Sequence, residues 1–394
     1  MKAPSVTERH EPGVALDDTD VLVVGGGIVG CSTAYYLARF GVDVALVERD
    51  DLNTGASGAN AGSLHAQLTS RYFADGPPSR VEAAARALIP LSREAVDTWE
   101  ELSRDLDHDI EFMKGGGLMA AESAAEMDLL RRKASLEQAA GLDVHLLSRS
   151  EARSFAPYLA ETVQGIEVCP IEGKINPLLA TPALARGATR SGARIHRRAG
   201  LLSLERDGGG FLAKTARGVV RCRRVVVAAG VGAAAVAAMV GLCLPGEARL
   251  QHMNVTVRTR PMLPHLVQHA GKRLTMKQSA SGTVIIGGGL PARRDPATGK
   301  IQVLRDSIEA NLKTARNLVP GTARLQLLRT WGGESLMTDG NPILGGVSSV
   351  PDFHLAIPAN SGTTTGPLCA RLLAESLSDR RPSLDLDAFS IERY

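Results

Sequence analysis

Four branched apolar residues, Val21-Leu22-Val23-Val24, run directly into Gly25-Gly26-Gly27-Ile28-Val29-Gly30. A charge-free run of this kind fits a strand buried on both faces of a parallel sheet. Ile28 to Phe40 then reads as an amphipathic helix stopped by Gly41, and Val42 to Val47 as a second strand, which commits this part of the chain to a βαβ unit. In the turn, Gly25 permits the tight bend, Gly27 lets the backbone touch a pyrophosphate, and Gly30 lets helix and strand pack closely. Ile28 and Val29 open the helix whose N-terminal N–H groups meet that anion. Glu48, 18 residues after Gly30 and followed by Arg49, ends the second strand, where a carboxylate accepts both ribose hydroxyls. Its charge disfavours a 2′-phosphorylated cofactor. Two other glycine triplets, Gly115 to Gly117 and Gly287 to Gly289, lack the helix-packing glycine and read as strand bends.

The chain has 394 residues, 44% hydrophobic and 22% charged, enough for two or three cores. With 45 basic and 42 acidic residues there is no whole-chain attraction to nucleic acid or acidic membranes, and 4% aromatics argue against a base-stacking platform. The five cysteines, Cys31, Cys169, Cys222, Cys243 and Cys369, stand at least 21 residues apart. That excludes CxxC and zinc-ligand spacing and argues against an iron–sulfur cluster or other metal site within this chain. The odd count, with no apolar leader segment, fits a reducing cytoplasm. Val225 to Leu244 is 20 residues without a charge, but its Val, Ala and Gly content reads as a buried strand, a glycine turn and an alanine-rich helix rather than a membrane span.

Residues 1–19 are polar and read as a flexible leader, with structure expected from Asp20. Residues 50–70, rich in Gly, Ala, Ser and Asn, mark a long functional loop. From Gln251 to Gly289, strands such as Val255-Thr256-Val257 follow without long helices between them, the mark of an antiparallel sheet. The expected fold class is α/β with an α+β substrate domain. A discontinuous Rossmann-like nucleotide-binding domain is expected from residues 20–100, 165–245 and 333–394, with a second, mainly antiparallel-sheet domain from 101–164 and 246–332.

Gly55-Ala56-Ser57-Gly58-Ala59-Asn60-Ala61-Gly62 resembles the flavin-embracing segment of the D-amino acid oxidase, glycine oxidase and sarcosine oxidase superfamily. Small residues there let the backbone run along the flavin. Three further segments carry the likeness: Ala228-Ala229-Gly230; Arg329-Thr330-Trp331-Gly332-Gly333, continued by Thr338-Asp339-Gly340-Asn341-Pro342; and Asn360-Ser361-Gly362-Thr363-Thr364-Thr365-Gly366-Pro367. The resemblance implies FAD as cofactor. It implies Ser57, Gly58, Asn60, Ala61, Gly62, Ser63 and Leu64 along the flavin's middle, and Ala229 and Gly230 beneath the adenine side, with Leu201 also in the cofactor set. Asn360, Gly362, Thr363 and Thr364 are implied at the ring end, where a helix N-terminus stabilises negative charge on the reduced flavin.

Ala59 to Leu68, Glu172 to Pro177 and Leu274 to Gln278 are similar, more narrowly, to the FAD-carrying β subunits of opine and D-hydroxyproline dehydrogenases. This similarity implies partner chains, a second flavin- or nucleotide-binding subunit and a small iron–sulfur subunit, that carry electrons away.

Many members of the family place an arginine four residues after the tryptophan to clamp a substrate carboxylate. Here that position is Ser335, preceded by Glu334. Glu334 either binds a cationic substrate or faces solvent. His65 either orients substrate, shifts the flavin potential, or is structural. Lys277 and Gln278 either face the flavin or alternate outward, and His252, Asn254 and Arg249 have the same standing; Trp331 reads as a wall. No catalytic residue is certain, with His65 and Glu334 as candidates. The expected reaction is oxidation of the C–N bond of a secondary amine or D-amino acid (opine, D-hydroxyproline, D-proline or sarcosine type) by hydride transfer to flavin N5. The alternatives are a self-contained oxidase producing hydrogen peroxide, a non-catalytic FAD-binding scaffold, and an NAD-dependent dehydrogenase, which the Ser57 to Gly62 loop disfavours.

Overall fold

The computed structural model describes residues 16–70, 72–73 and 78–394, apart from the side chain of Asn360. The apolar run near the start is the strand Thr19–Val24, central in an eight-stranded sheet between Gly218–Val227 and Val44–Val47, both parallel to it. Its alternate residues enter two cores. Val21 and Val23 pack with the helices Ile28–Arg39, Pro177–Arg190 and Gly362–Leu377, while Leu22 and Val24 pack with Phe211, Val220 and Val236. Burial on both faces is why the run carries no polar residue. Val350–Ile357 and Arg194–His196 extend the sheet in parallel, and Ile343–Val347 closes one edge antiparallel.

The second eight-stranded sheet runs in the order Leu327–Met337, Glu247–Arg258, Thr283–Gly287, Thr275–Gln278, Leu266–His269, Gly117–Ala121, Gly165–Cys169, His145–Ser148. It is antiparallel except where Leu266–His269 meets Gly117–Ala121. One face, carrying Leu118, Ile166, Met276, Val284 and Ile286, packs on Ala315 and Leu318 of the helix Arg305–Leu318. The opposite face turns toward the 55–68 loop, and that placement builds the site. The α/β class with two sheets is as expected.

Some details differ from expectation. Residues 1–15 of the expected leader lie outside the described residues, but Leu16 donates its N–H to Val219 O (3.0 Å) and packs on the core, so order begins before Asp20. Gly165–Cys169, expected in the nucleotide-binding part, pairs in the second sheet, and Leu327–Met337 crosses the expected border at 332/333. Both belong there because hydrogen-bond pairing, not composition, assigns a strand to its sheet. The charge-free stretch from Val225 is the end of a strand, a 3-10 turn at Gly230–Gly232 and the short helix Ala233–Ala238. No helix among the described residues is long and apolar enough to cross a membrane.

Candidate active site

The glycine turn has the form its spacing requires. Gly25 has φ +117°, and a Cβ on Gly30 would lie 1.9 Å from Gly25 O, so only glycine lets the helix Ile28–Arg39 lie this close. Glu48 folds back onto the turn: Gly26 N–H donates to its Oε2 (2.6 Å) and Asp50 N–H to its Oε1 (2.9 Å). Ser57 Oγ accepts from Ile28 N–H (2.9 Å) and lies 2.9 Å from where a Gly27 Cβ would be, which brings the second loop against the first helix's N-terminus. Gly27, the N-cap, offers no side chain of its own. Arg49 is exposed beside Asp50 (3.3 Å), with its Cβ against Gly200; Leu201 follows in partial burial. Ala228 N–H donates to Val24 O, and Ala229 and Gly230 (φ +54°) continue beside the turn.

Asn60 shapes the next segment. Its Oδ1 accepts from Gly62 N–H (2.6 Å), closing a turn that puts Gly62 at φ +73°. A Cβ on Gly62 would meet Ile175 O at 2.3 Å and Lys277 Nζ at 2.8 Å; one on Gly58 would meet Asn53 O at 2.1 Å. Protein atoms alone therefore demand these two glycines. After Ala61, Ser63–Leu64 pairs antiparallel with Gly173–Lys174. The segment is then gripped from outside: Trp331 Nε1–H donates to Ala59 O (2.8 Å), and His65 N–H to Thr364 Oγ1 (3.0 Å). Thr364 lies in the first turn of Gly362–Leu377, whose N-cap Ser361 makes no side-chain cap, and Thr363 O accepts from Trp99 Nε1 (2.9 Å). Asn360 lies in the preceding 3-10 turn; its side chain is outside the described residues. Two helix N-termini without caps of their own thus bracket a bare loop, a donor arrangement suited to a long anionic cofactor with a charge-accumulating ring.

Strand register sorts the substrate candidates. Met253 pairs with Trp331, Arg249 with Ser335, Val255 with Ile285 and Lys277 with Ile285, so Trp331, Ser335, Arg249 and Lys277 share the loop-facing side. His252 and Glu334, one residue out of phase with Met253 and Ser335, point to the other side. His252 is fully buried next to Asn254, which donates to Asn311 Oδ1 on the covering helix (2.9 Å). Glu334 is bound to Arg294 Nη2 (2.6 Å) on the small hairpin Ala292–Arg294/Ile301–Val303. The pleat thus turns both residues away from the loop-facing side, and each is already engaged by a protein partner. Gln278 likewise faces the core side and is spent on the backbone of Met262, Leu263 and Arg260. Lys277 is the reverse: it faces inward, buried, with Nζ donating to Ile175 O (3.0 Å). Burial pushes its amine down to about 7, helped by the Lys174 ammonium and opposed by Glu111.

Residues 20–376 match the family described as FAD dependent oxidoreductase. The chain belongs to that family. It is 26% identical over 388 residues to the beta chain of sarcosine oxidase from Rhizobium meliloti (strain 1021), covering 95% of this chain and 88% of that one. It is 29% identical over 385 residues to one of the subunits of opine oxidase from Rhizobium meliloti, covering 96% and 98%. The crystal structure of glycine oxidase from Geobacillus kaustophilus superposes with a TM-score of 0.83 at 26% identity, covering 96% of this chain and 99% of that one. The cofactor of this flavoenzyme is FAD, and the glycine turn, Glu48 and the bare loop are the groups whose chemistry fits it and that would hold it.

One part of the flavoenzyme's site escaped sequence reading. Behind residues 65–68 lies a buried charged cluster. Lys133 Nζ donates to Gln67 Oε1 (3.0 Å), Glu137 Oε2 (2.9 Å) and Glu167 Oε2 (2.8 Å). Glu137 Oε1 accepts from Leu68 N–H (2.6 Å), and Glu172 Oε1 from Ala66 and Gln67 N–H (2.9 and 3.0 Å). Burial pushes the Glu137 carboxyl up to about 8, against the pull of Lys133. Glu172 moves the other way: burial opposes it, but His65, the Gln67 N–H and Lys133 hold its carboxyl below the usual range. The one available sequence signal was the Lys133–Glu137 spacing, which is also that of an ordinary surface helix pair.

Proposed function

We propose that this flavoenzyme oxidises the C–N bond of a secondary amine or D-configured amino acid of the opine, D-hydroxyproline, D-proline or sarcosine type. In this reading it is the cytoplasmic catalytic subunit of a multisubunit dehydrogenase. The observation that carries the reading is the enclosure of residues 59–65 by Trp331, Lys277 and Thr364, from three separate elements, opposite one face of the second sheet. That sets the loop-facing side of the second sheet against the segment that would carry the flavin, where a compact amine can be aligned. The near-full-length relatives named for sarcosine and opines support the amine class, and the naming of each as one subunit among others supports partner chains. With the cysteines scattered, onward electron transfer falls to those partners, a second flavin- or nucleotide-binding chain and a small iron–sulfur chain.

FAD, when bound, supplies the hydride acceptor. The chain supplies the rest. Trp331 fixes Ala59 by its hydrogen bond to that carbonyl; the first turn of Gly362–Leu377 directs N–H groups toward negative charge. Ser335 cannot clamp a carboxylate, but Arg249 stands directly opposite it on the neighbouring strand and is the cation suited to that contact. Anaerobic mixing of the flavin-loaded protein with D-proline, D-hydroxyproline, sarcosine, octopine and nopaline tests the reading: at least one bleaches the visible flavin absorbance, and failure of all five removes its basis. The likeness to glycine oxidase supports a second reading, a self-contained oxidase, which stoichiometric hydrogen peroxide from the isolated chain would favour.

A further inference from the structure

His65 and Glu172 form a partly buried dyad. The His65 ring is 26% exposed while Glu172 is fully buried, and Nδ1 stands 3.7 Å from Glu172 Oε1. That is ion-pair distance rather than a hydrogen bond. His65 Nδ1 is buried without a hydrogen-bond partner, and so is Glu172 Oε2. The ring's exposure therefore lies on the side away from Glu172, where Nε2 is. The backbone leaves the dyad little freedom. His65 N–H is bound to Thr364, and the next two N–H groups end on Glu172 itself. A Cβ on Gly117 would come 1.8 Å from Glu172 Oε2, so the carboxylate has no room to swing away. Further back, Gln67 and Leu68 are tied to Lys133 and Glu137.

We propose that His65 accepts at Nε2 the ammonium proton of the incoming amine, with Glu172 as the positioning residue that keeps the other imidazole proton on Nδ1. The inference rests on the amine reading above. A secondary amine or amino acid is mostly an ammonium ion at neutral pH, and a nitrogen without a lone pair cannot form the C=N bond as hydride leaves. In the step proposed, the substrate N–H bond breaks, the Nε2–H bond forms, and no electrons change hands. The imidazolium charge is met by Glu172. The free amine's lone pair then makes the C=N bond as its α-carbon is oxidised and FAD is reduced.

Among the described residues, Lys277 stands beside Gly62 on the loop-facing side of the second sheet, its Nζ bound to Ile175 O, and other charged and titratable groups come from the elements behind the dyad. Lys133 and Glu137 come from the helix Ala124–Ala139, Glu167 and Cys169 from Gly165–Cys169, and Lys174 from the strand paired with Ser63. Burial and then Glu172 push the Cys169 thiol up, which keeps it protonated, and burial pushes the Lys174 amine down.

Two measurements on the flavin-loaded protein test the proposal. Nitrogen-15 labelling of histidine, with His65 assigned by its loss in H65Q, reads the tautomer: Nδ1–H with a free Nε2 is expected, weakened in E172Q. Anaerobic flavin reduction against pH, with an amine that bleaches the flavin, reads the proton acceptor. H65Q is expected to slow reduction about a hundredfold at neutral pH and to lose the ascending limb of the profile. E172Q is expected to move that limb to lower pH, since a lost anion favours the uncharged ring. An Nε2–H tautomer in the wild type, or a limb unmoved in both variants, overturns the proposal. If no amine bleaches the wild type, the amine reading fails instead, and the tautomer still decides whether Glu172 orients His65.

Discussion

Replacing Lys277 by Met should stabilise the protein at neutral pH, and the gain should fade as pH rises. Lys277 is 2% exposed and has one hydrogen bond, to Ile175 O. Its folded pKa, about 7, lies below the ordinary lysine value of 10.5. Between those limits the unfolded chain holds a proton that the folded chain has released, so wild-type stability climbs with pH across the window and is lowest beneath it. At about 1.4 kcal/mol per tenfold change in protonation, the burden is about 4 kcal/mol near pH 7 and about 2 kcal/mol near pH 9. Met fills a similar volume without charge; leaving Ile175 O without its donor takes back about 1 kcal/mol. Urea unfolding of the flavin-free protein, followed by the fluorescence of Trp99 and Trp331, should show K277M about 3 kcal/mol more stable near pH 7 and about 1 kcal/mol more stable near pH 9. A separation that stays constant across the window would refute the claim that Lys277 is buried with its charge opposed.

Gly30→Ala puts a methyl 1.9 Å from Gly25 O; it should cost about 3 kcal/mol and leave the purified protein with little flavin, read from the ratio of visible to ultraviolet absorbance. Lys133→Met strands Glu137 and Glu167 without their shared cation and should destabilise by about 3–5 kcal/mol in urea unfolding. Although burial pushes the Glu122 carboxyl up, hydrogen bonds from Lys272, His269 and Thr162 hold it down at about 2, against an ordinary 4.5. Its stabilisation is therefore present above 4.5 and lost as pH falls toward 2, and E122Q should flatten the acid limb of a stability–pH profile across that range.

The nucleotide-binding turn was legible because everything it needs is close in sequence: a strand, three glycines and an acid end within one βαβ unit. The flavin loop was legible for a similar reason, since small residues cluster where backbone must pass near other atoms. The side of the second sheet that meets the loop was not. Alternation in Leu327–Met337 says that Trp331 and Glu334 face opposite ways, but only pairing with Glu247–Arg258 shows which side meets the loop. The charged cluster was hidden more deeply. Lys133 and Glu137 have the spacing of a solvent-exposed helix pair, and their burial depends on Glu167, from the neighbouring sheet, and Gln67, from the loop. Glu172 reaches Ala66 across 106 residues, and nothing local in either segment signals the other.

The most direct measurement of the central claim is anaerobic flavin reduction with an amine substrate carrying deuterium at the carbon next to nitrogen. If that C–H bond is the one broken, bleaching by the deuterated amine is several-fold slower than by the protiated one, with the same final spectrum. Equal rates at saturating amine, or a flavin that no amine bleaches, would contradict the account.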